Sequence, residues 1–575
     1  MIVPMTKYSF ILLGADKEHF FDKLSELGVV DITRSHKAID NTSLGILSDI
    51  ENTKEKIKCL KALTDDHLKS LQAQKSELQK QHKDLVAWGE YDISLLSGFD
   101  PHFFSCHPKL FDNSWAEKYA LEIIHEDKDK VYFIILGNIE GFPLKALATP
   151  VKTAQEVQAE IDDIQVDIDN YIAELQAQSA DIPKLEKSIE QKQTQLNIHL
   201  ATVAGESAAE DSLIVYQGFA PTEIDNSLQK ELDTLPIYYS AEAAVTEDTP
   251  PIKLRNNKFV SQFEVLTKMY GMPVYNEFDP TIFLSIFFLL FFAMCMGDAG
   301  YGIMLVAIGF FLKSKGSGGL ANMWSLIVTL GVGTFVVGLL MGGFFGLNLV
   351  DQSWVPQWLK SFMITGDIEL AGGTYSKQMA LSLVIGIAHI SLALIMKAVW
   401  SIKKDGFKNS LSALGWTLLI VGGIITLVIG LTGIVSQQLM TYILIAVAVL
   451  SALGIYIFNR WGRNPLVNIG SGLWDTYNMV SGLLGDVLSY IRLYALGLSG
   501  AMLGQTFNQI AEMVKGTDPT WQWLPFILIL LFGHVLNIAM SCLGAFVHPL
   551  RLNFVEFFKN SGYEGTGSSY SPIKK

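Results

Sequence analysis

A mainly α protein is predicted, with cytoplasmic α+β lobes joined by an antiparallel coiled coil, followed by an eight-helix transmembrane domain whose two C-terminal helices are long and tilted. Three observations predict it. The 575 residues are 50% hydrophobic and 17% charged, but charge is concentrated in residues 1–276, whereas apolar stretches of bilayer-crossing length follow one another from Thr281 to Glu556. Two polar segments of the first half keep a seven-residue apolar beat on either side of a short insert. The last two apolar segments are longer than a perpendicular crossing requires. The domains expected are therefore a cytoplasmic stalk domain (1–276), a transmembrane domain (277–560) and a loosely ordered cytoplasmic tail (561–575).

The chain opens in an αβ pattern, with Tyr8 to Leu13 a strand, Lys17 to Leu27 an amphipathic helix and Val29 to Ile32 a second strand. From about Leu44 to Trp88 the sequence is polar and helical. Ile50, Ile57, Leu71, Leu78 and Leu85 share one heptad position, with Ile46 and Leu60 at the complementary one. Val131 to Leu136 reads as a buried strand of the insert. A second heptad helix, within about residues 151–200, carries Ile161, Ile164, Ile168, Tyr171, Leu175, Ile182, Leu185, Ile189 and Leu196 at alternating three and four spacing. Pro183 interrupts it and is expected to bend it. Because both helices lie in one chain and flank a compact insert, an antiparallel pair with a knob at its tip is favoured over self-association. Ser212 to Phe219 and Ile237 to Ser240 are expected as strands of a second small αβ lobe near the membrane.

Eight apolar helices are expected at about Thr281–Gly297, Asp298–Leu312, Asn322–Leu347, Gln378–Trp400, Leu411–Ile434, Gln438–Phe458, Gly472–Met513 and Trp521–Phe558. At 1.5 Å per residue, roughly 40 residues make about 60 Å of helix, twice the hydrocarbon thickness, so the last two must tilt or project. Lys313 and Lys315, then Lys403, Lys404 and Lys408, then Arg460 and Arg463 fall in alternate loops, while the loop near Ile434 is uncharged. That alternation places both termini in the cytoplasm of a multi-pass protein of the cell (inner) membrane. Neither a secretory signal nor paired cysteine spacing is visible, and Cys59, Cys106, Cys295 and Cys542 fit a reducing compartment. A net charge of −14 argues against a nucleic-acid partner.

Ionisable groups inside the last two apolar segments are the candidate functional residues. Arg492 sits near the middle of Leu488 to Leu496, where a charge costs about 2.5 kcal/mol or more, and it is too deep to snorkel. The last helix carries Arg551, with His548 one turn before it and Glu556 about one turn beyond. For Arg551 and Glu556 a headgroup contact competes with a functional role. Asp475, Asp486, Ser489, Gln505, Asn508, His534, Asn537 and Ser541 leave a broken polar track on both sides of Arg492, and for the amides and Ser541 an interhelical hydrogen bond is the simpler reading.

Three stretches carry a resemblance to a known family. Gly485-Asp486-Val487-Leu488-Ser489-Tyr490-Ile491-Arg492-Leu493-Tyr494-Ala495-Leu496-Gly497-Leu498 is similar to the signature helix of subunit I, or subunit a, of V-type and A-type rotary ATPases. The run from Leu543 through His548, Pro549 and Arg551 to Phe558 is similar to that family's last helix. Tyr275 to Thr281, together with Met296-Gly297-Asp298-Ala299-Gly300-Tyr301-Gly302, resembles its approach to the membrane. The resemblance implies a bacterial or archaeal membrane stator with no catalytic site of its own. In it Arg492 is the essential arginine and Arg551 its helper, Glu556, Asp475 and Asp486 line a cytoplasmic half-channel, and Gln505, Asn508, His534 and Asn537 line an external one. Implied partners are rotor ring subunits bearing a membrane carboxylate, peripheral stalk subunits, a central-stalk subunit and the lipid bilayer. No cofactor or metal is implied. Gly500 and Ser541 depart from the histidine and glutamate of eukaryotic members.

Two rival classes remain. A secondary transporter also holds mid-membrane charges but requires internal repeats, which are not visible. A membrane-anchored coiled-coil scaffold leaves Arg492 without a purpose. No Gly-Lys dipeptide exists for a phosphate-binding loop.

Overall fold

A computed structural model describes residues 1–575 except 34–39, 90–98, 113, 128–129, 140, 148–151, 209–212, 316–322, 371–372, 432–434, 461, 463, 516–522 and 575. Arg463 and Ile434, and the expected element starts at Val151, Ser212, Asn322 and Trp521, lie outside the described residues. The chain is mainly helical and divides into two compact units. One comprises Met1–Asp16, Val29–Ile32 and Ser207–Pro572, the other Lys17–Gly28, Thr33–Glu206 and Ile573–Lys575.

The first unit opens with β1 (Met5–Leu13), in which alternate residues are buried, and the two-residue β2 (Asp31–Ile32). Their partners lie about 190 to 240 residues further along the chain and are described below.

The second unit holds α1 (Lys17–Leu27), α2 (Asn41–Ala62) and α3 (Asp66–Val86). The continuous helix expected from Leu44 to Trp88 is thus two. Leu63 takes a left-handed conformation (φ 48°) that closes α2, and the Asp65 carboxylate accepts the Leu68 N–H to start α3. Asp40 caps α2 in the same way through Ser43, and hydrogen bonds from Ser43 and then His199 hold its carboxyl down to about 2. Strands β3 (Pro101–Cys106), β4 (Leu121–Glu126) and β5 (Val131–Leu136) form an antiparallel sheet with β5 central, over a core of Phe104, Phe133 and Ile135.

The chain returns through α4 (Ala154–Ser179), opened by a Thr153/Glu156 capping box, and α5 (Ile182–Val203). Pro183 does not bend a continuous helix. It sits in the first turn of α5, where its missing N–H costs nothing. α3 packs along α4 and α2 along α5, antiparallel. Tyr171 donates to Asp65 (2.5 Å), Lys61 pairs with Glu186 (2.8 Å) and Lys192 with Asp49 (3.0 Å). Ile50, Ile57, Leu60 and Leu68 are buried from one side, and Ile161, Ile168 and Leu175 from the other.

Back in the first unit, β6 (Glu206–Ala208), β7 (Leu213–Pro221), α6 (Asp225–Leu232) and β8 (Tyr238–Ala243) follow. These strands do not form a sheet of their own, as expected for a second lobe. β7 and β8 flank β1 on either side, giving the order β2-β7-β1-β8 with β6 on β7, and β1 pairs with β7 over its whole length from Met5↔Pro221 to Leu13↔Leu213.

A short helix, α7 (Glu264–Tyr270), leads to the apolar helices. Two are short: α8 (Thr281–Met296) and α9 (Ala299–Lys315). Among the described residues six more are long and apolar enough to cross a membrane: α10 (Trp324–Met341), α11 (Lys377–Asp405), α12 (Leu411–Gly430), α13 (Gln437–Ile457), α14 (Pro465–Lys515) and α15 (Trp523–Ser561). α10 stops short of the expected Leu347 because Gly342 closes it at φ +77° and a hairpin, Gly343–Phe344 with Leu347–Asn348, follows. α14 is longer than expected, 51 residues, which is about 76 Å of helix.

The tail is not loose. Ser569 bridges to Ile252 and Gly567 to Met272. Tyr563, 5% exposed, donates to the Gly271 carbonyl (2.8 Å). Tyr570 donates to the Val29 carbonyl, and Asp31 accepts the Ser571 N–H (2.8 Å). The buried Glu277 carboxylate accepts both Val274 N–H (2.9 Å) and Glu564 N–H (2.7 Å); burial raises its proton affinity above the ordinary carboxylate range. Residues 563–571 are therefore held against both the sheet and the segment that precedes α8.

Candidate functional site

The site is built where α14 packs along α15, with α8 and α11 behind α14. On α14, Tyr490, Leu493, Gly500, Gly504 and Ala511 are buried, a stripe at three- to seven-residue spacing that turns one face of the helix inward. Arg492 follows Tyr490 by two residues, about 200° around the helix, and is half-buried. It lies 27 residues after Pro465 and 23 before Lys515. Among the described residues no hydrogen bond or ion pair reaches its guanidinium.

On α15, Pro549 removes one backbone donor, and the helix widens into a π-helical stretch from Leu552 to Phe557. The extra residue in that turn separates two neighbours in sequence. Arg551 is left 53% exposed, while Glu556 is turned inside at 3%, with its Oε1 3.9 Å from Arg551 Nε and its Oε2 without a hydrogen-bond partner among the described residues. The Ser489 hydroxyl of α14 lies beside the same carboxylate. His548 is half-buried within the field of both Arg492 and Arg551, and its Nδ1 has no partner among the described residues.

Towards the start of α14 the other two acids gather. Asn560 Nδ2 donates to Asp486 (2.7 Å) and to the Glu556 carbonyl (2.6 Å), and Asn459 Nδ2 donates to Asp475 (3.0 Å). A cavity of about 470 Å³ runs between them, lined by Asp475, Asp486, Asn560, Lys559 and, from α11, Lys397 and Asp405. Asp475, Asp486 and Glu556 thus belong to one polar region.

On the other side of Arg492, Asn508, His534 and Asn537 of the expected residues form one hydrogen-bond network. His534 Nε2 is 3.1 Å from Asn508 Oδ1, and its Nδ1 is 2.9 Å from the Tyr301 hydroxyl. Asn537 Nδ2 donates to Tyr301 (2.8 Å) and to the Gly500 carbonyl (2.8 Å), and Ser541 donates to Asn537 Oδ1 (3.2 Å). A Cβ on Gly500 would stand 3.0 Å from Ser541 Oγ, so the two departures from the eukaryotic pattern face each other. Gln505 is not in this network; it is exposed and lines a separate cavity of about 230 Å³ with Gln378, Tyr494 and Gly497.

Several residues were not singled out from sequence. Asp298, 1% exposed, accepts the N–H groups of Gly300, Tyr301, Phe345 and Gly346 and so ties the α8–α9 turn to the hairpin after α10. Asn508 Nδ2 donates to the Phe345 carbonyl (2.8 Å), joining that knot to the network. Asp298 and Tyr301 lie within the Met296–Gly302 motif, which was the available signal. His389 of α11, hydrogen-bonded to Tyr490, gave only the weak signal of a lone histidine in an apolar helix. Among the described residues no cluster of His, Cys, Asp or Glu is arranged to hold a metal ion.

Comparison with known proteins agrees with the motifs. Residues 139–345 match the model of the V-type ATPase 116kDa subunit family. The chain is 29% identical to the A-type ATP synthase subunit I of Methanocaldococcus jannaschii over 76% of this chain and 65% of that one. It is 25% identical to the V-type ATP synthase subunit I of Borreliella burgdorferi over 100% of both. With the A-type ATP synthase subunit I of Pyrococcus horikoshii it shares 32% identity over 57% of this chain, spanning 48% of that relative. The motifs, the helices that carry them and these relatives make the chain similar to the V-type ATPase 116kDa subunit family, and its long apolar helices are those of a multi-pass membrane protein.

Proposed function

We propose that this chain is the membrane stator subunit of a V/A-type rotary ATPase, coupling H⁺ or Na⁺ translocation to ATP hydrolysis or synthesis elsewhere in the complex. One observation carries the reading: Arg492 is a half-buried cation in the middle of a 51-residue apolar helix, and among the described residues no hydrogen bond or ion pair reaches it. A guanidinium in a low-dielectric site demands an anion. The carboxylate of a rotor ring subunit passing in the membrane supplies one. Because the guanidinium does not release its proton, it holds that carboxylate ionised, so the ion bound there leaves, and it repels any cation moving straight past.

The polar regions on either side of Arg492 act as offset half-channels. Asp475, Asp486 and Glu556, with Ser489, serve the cytoplasmic one, and Gln505, Asn508, His534 and Asn537 the external one. Arg551 and His548 flank Arg492 on α15, with Arg551 as its helper. All eight apolar helices contribute to the transmembrane domain (277–560), with both termini in the cytoplasm. Residues 1–276 form the cytoplasmic stalk domain, in which α2 to α5 act as an antiparallel coiled coil tipped by the β3–β5 lobe. That stalk docks peripheral stalk subunits and a central-stalk subunit and resists rotor torque.

The test is Arg492→Ala and Arg492→Lys in the assembled complex, reading ATP-driven ion uptake into vesicles. Both substitutions are expected to abolish coupled transport with assembly retained, the lysine because its charge is titratable and its geometry different. Wild-type uptake by an assembled Arg492→Ala complex overturns the proposal.

A further inference from the structure

His389 lies in α11 at 0% exposure, with the aromatic rings of Phe287, Phe291, Tyr490 and Phe557 around it. Phe557 stacks on the imidazole at 4.6 Å and 6°, while Phe287 and Phe291 of α8 lie at 4.2 and 5.1 Å. Its Nδ1 is 2.9 Å from the Tyr490 hydroxyl, and its Nε2 has no partner among the described residues. An unsatisfied buried nitrogen costs stability, and a phenylalanine fills the same volume without it. Packing alone therefore does not select histidine here. The hydrogen bond to Tyr490 does.

The two groups that His389 holds stand next to the candidate ion-path residues. Tyr490 precedes Arg492 by two positions in α14, and Phe557 follows Glu556 in the π-helical stretch of α15. Tyr490 is itself fully buried, and its ring lies against the backbone of Gly386, where a Cβ would come within 2.4 Å of it. Gly386 and His389 are one turn apart on α11, so a single helix face grips the tyrosine by its ring and its hydroxyl. That grip helps to set the rotation of α14 about its axis, together with the packing of α14 along α8 and α15. At a side-chain radius of about 5–6 Å, a 20° rotation moves a group by about 2 Å, and misplacements of that size cost orders of magnitude in rate.

We propose that His389 is a positioning residue for ion translocation, fixing through Tyr490 and Phe557 where Arg492 and Glu556 point. The proposal rests on the stator reading of Arg492. It separates position from stability, and the double substitution His389→Phe/Tyr490→Phe exploits that. The double variant leaves no polar atom unsatisfied at the joint, so it is expected to assemble and to resist heat as well as wild type or better. Its ATP-driven ion uptake per assembled complex is nonetheless expected to fall about tenfold or more, with Tyr490→Phe alone falling comparably. His389→Gln, which keeps a hydrogen-bonding group towards Tyr490, is expected to recover part of the loss. A purely structural His389 predicts wild-type uptake by the double variant, and that result overturns the proposal. If the double variant does not assemble, Tyr490→Phe decides alone: a tenfold fall supports positioning, and a wild-type rate overturns it. Arg492→Ala is run beside them. Loss of uptake in Arg492→Ala with normal uptake in the double variant removes the role of His389 only, whereas normal uptake in Arg492→Ala removes the stator reading.

Discussion

Replacing Asp298 by asparagine tests the knot behind the Asn508, His534 and Asn537 network with the loss of a single negative charge. The carboxylate accepts from Gly300 at 2.8 Å, Tyr301 at 3.2 Å and Phe345 at 2.8 Å through Oδ1, and from Gly346 at 2.8 Å through Oδ2. Asparagine has one acceptor oxygen. Its better orientation keeps that oxygen on the three Oδ1 partners and turns its amide nitrogen towards the Gly346 N–H, donor against donor. One charge-assisted bond is then lost and one buried N–H is orphaned, at a cost of about 2 kcal/mol, roughly a thirtyfold fall in the ratio of folded to unfolded protein. Alanine orphans all four donors and costs several times more, on the order of 4–8 kcal/mol, which exceeds what many domains have to spare. Equilibrium unfolding of the purified chain in detergent, followed at matched denaturant, ranks the three proteins. Wild-type stability for Asp298→Asn, or equal losses for Asn and Ala, refutes the reasoning.

Two other outcomes follow from geometry. Gly346 has φ +71° and faces Gly504 so closely that a Cβ would come within 2.4 Å of its carbonyl carbon; Gly346→Ala should therefore push α14 from the hairpin and cost about 2 kcal/mol or more in the same unfolding assay, whereas Gly406→Ala, at φ +78° with open space around it, pays only the backbone strain. Asp40, with its carboxyl held down to about 2, contributes stability that is present above about pH 4 and lost as pH falls through about 2. Protection of the first α2 amides, measured by hydrogen exchange on the full chain, should fall across that window in wild type and stay flat in Asp40→Asn, which keeps the cap; parallel profiles contradict this.

What the sequence revealed depended on whether an element's cause is local. Hydropathy disclosed the apolar helices because burial in lipid acts on every residue of a segment, and the heptads of Ile50, Ile57, Ile161 and Ile168 disclosed which faces are covered. The break at Leu63 was missed because heptad spacing runs through it unbroken from Ile57 to Leu71, and only the Asp65 cap marks it. The π-helical stretch was missed for a different reason: a widened turn keeps the composition of an apolar helix, so nothing but Pro549 betrays it. The intramembrane polar residues were found by their cost alone. That criterion brought out Asn508, His534 and Asn537, but it passed over Asp298 and Tyr301, which sit at a helix junction where polar groups are ordinary. The tail was read as loose because Gly562, Gly565, Gly567, Ser568 and Ser569 have loop composition. Its order comes from Glu277, Gly271 and Asp31, hundreds of positions away.

That tail also carries an instruction about time. The sheet pairs β1 with strands made some 200 residues later, and Asp31, Gly271 and Glu277 wait further still, until residues 563–571 leave the ribosome. Every apolar helix must already have been synthesised when the last latch becomes available. A chain whose α15 stalls or inserts wrongly keeps Tyr563 and Tyr570 away from their acceptors and leaves the Glu277 carboxylate without the Glu564 N–H. The joint next to the membrane then stays open, so the same contacts that brace the finished molecule also distinguish it from an unfinished one.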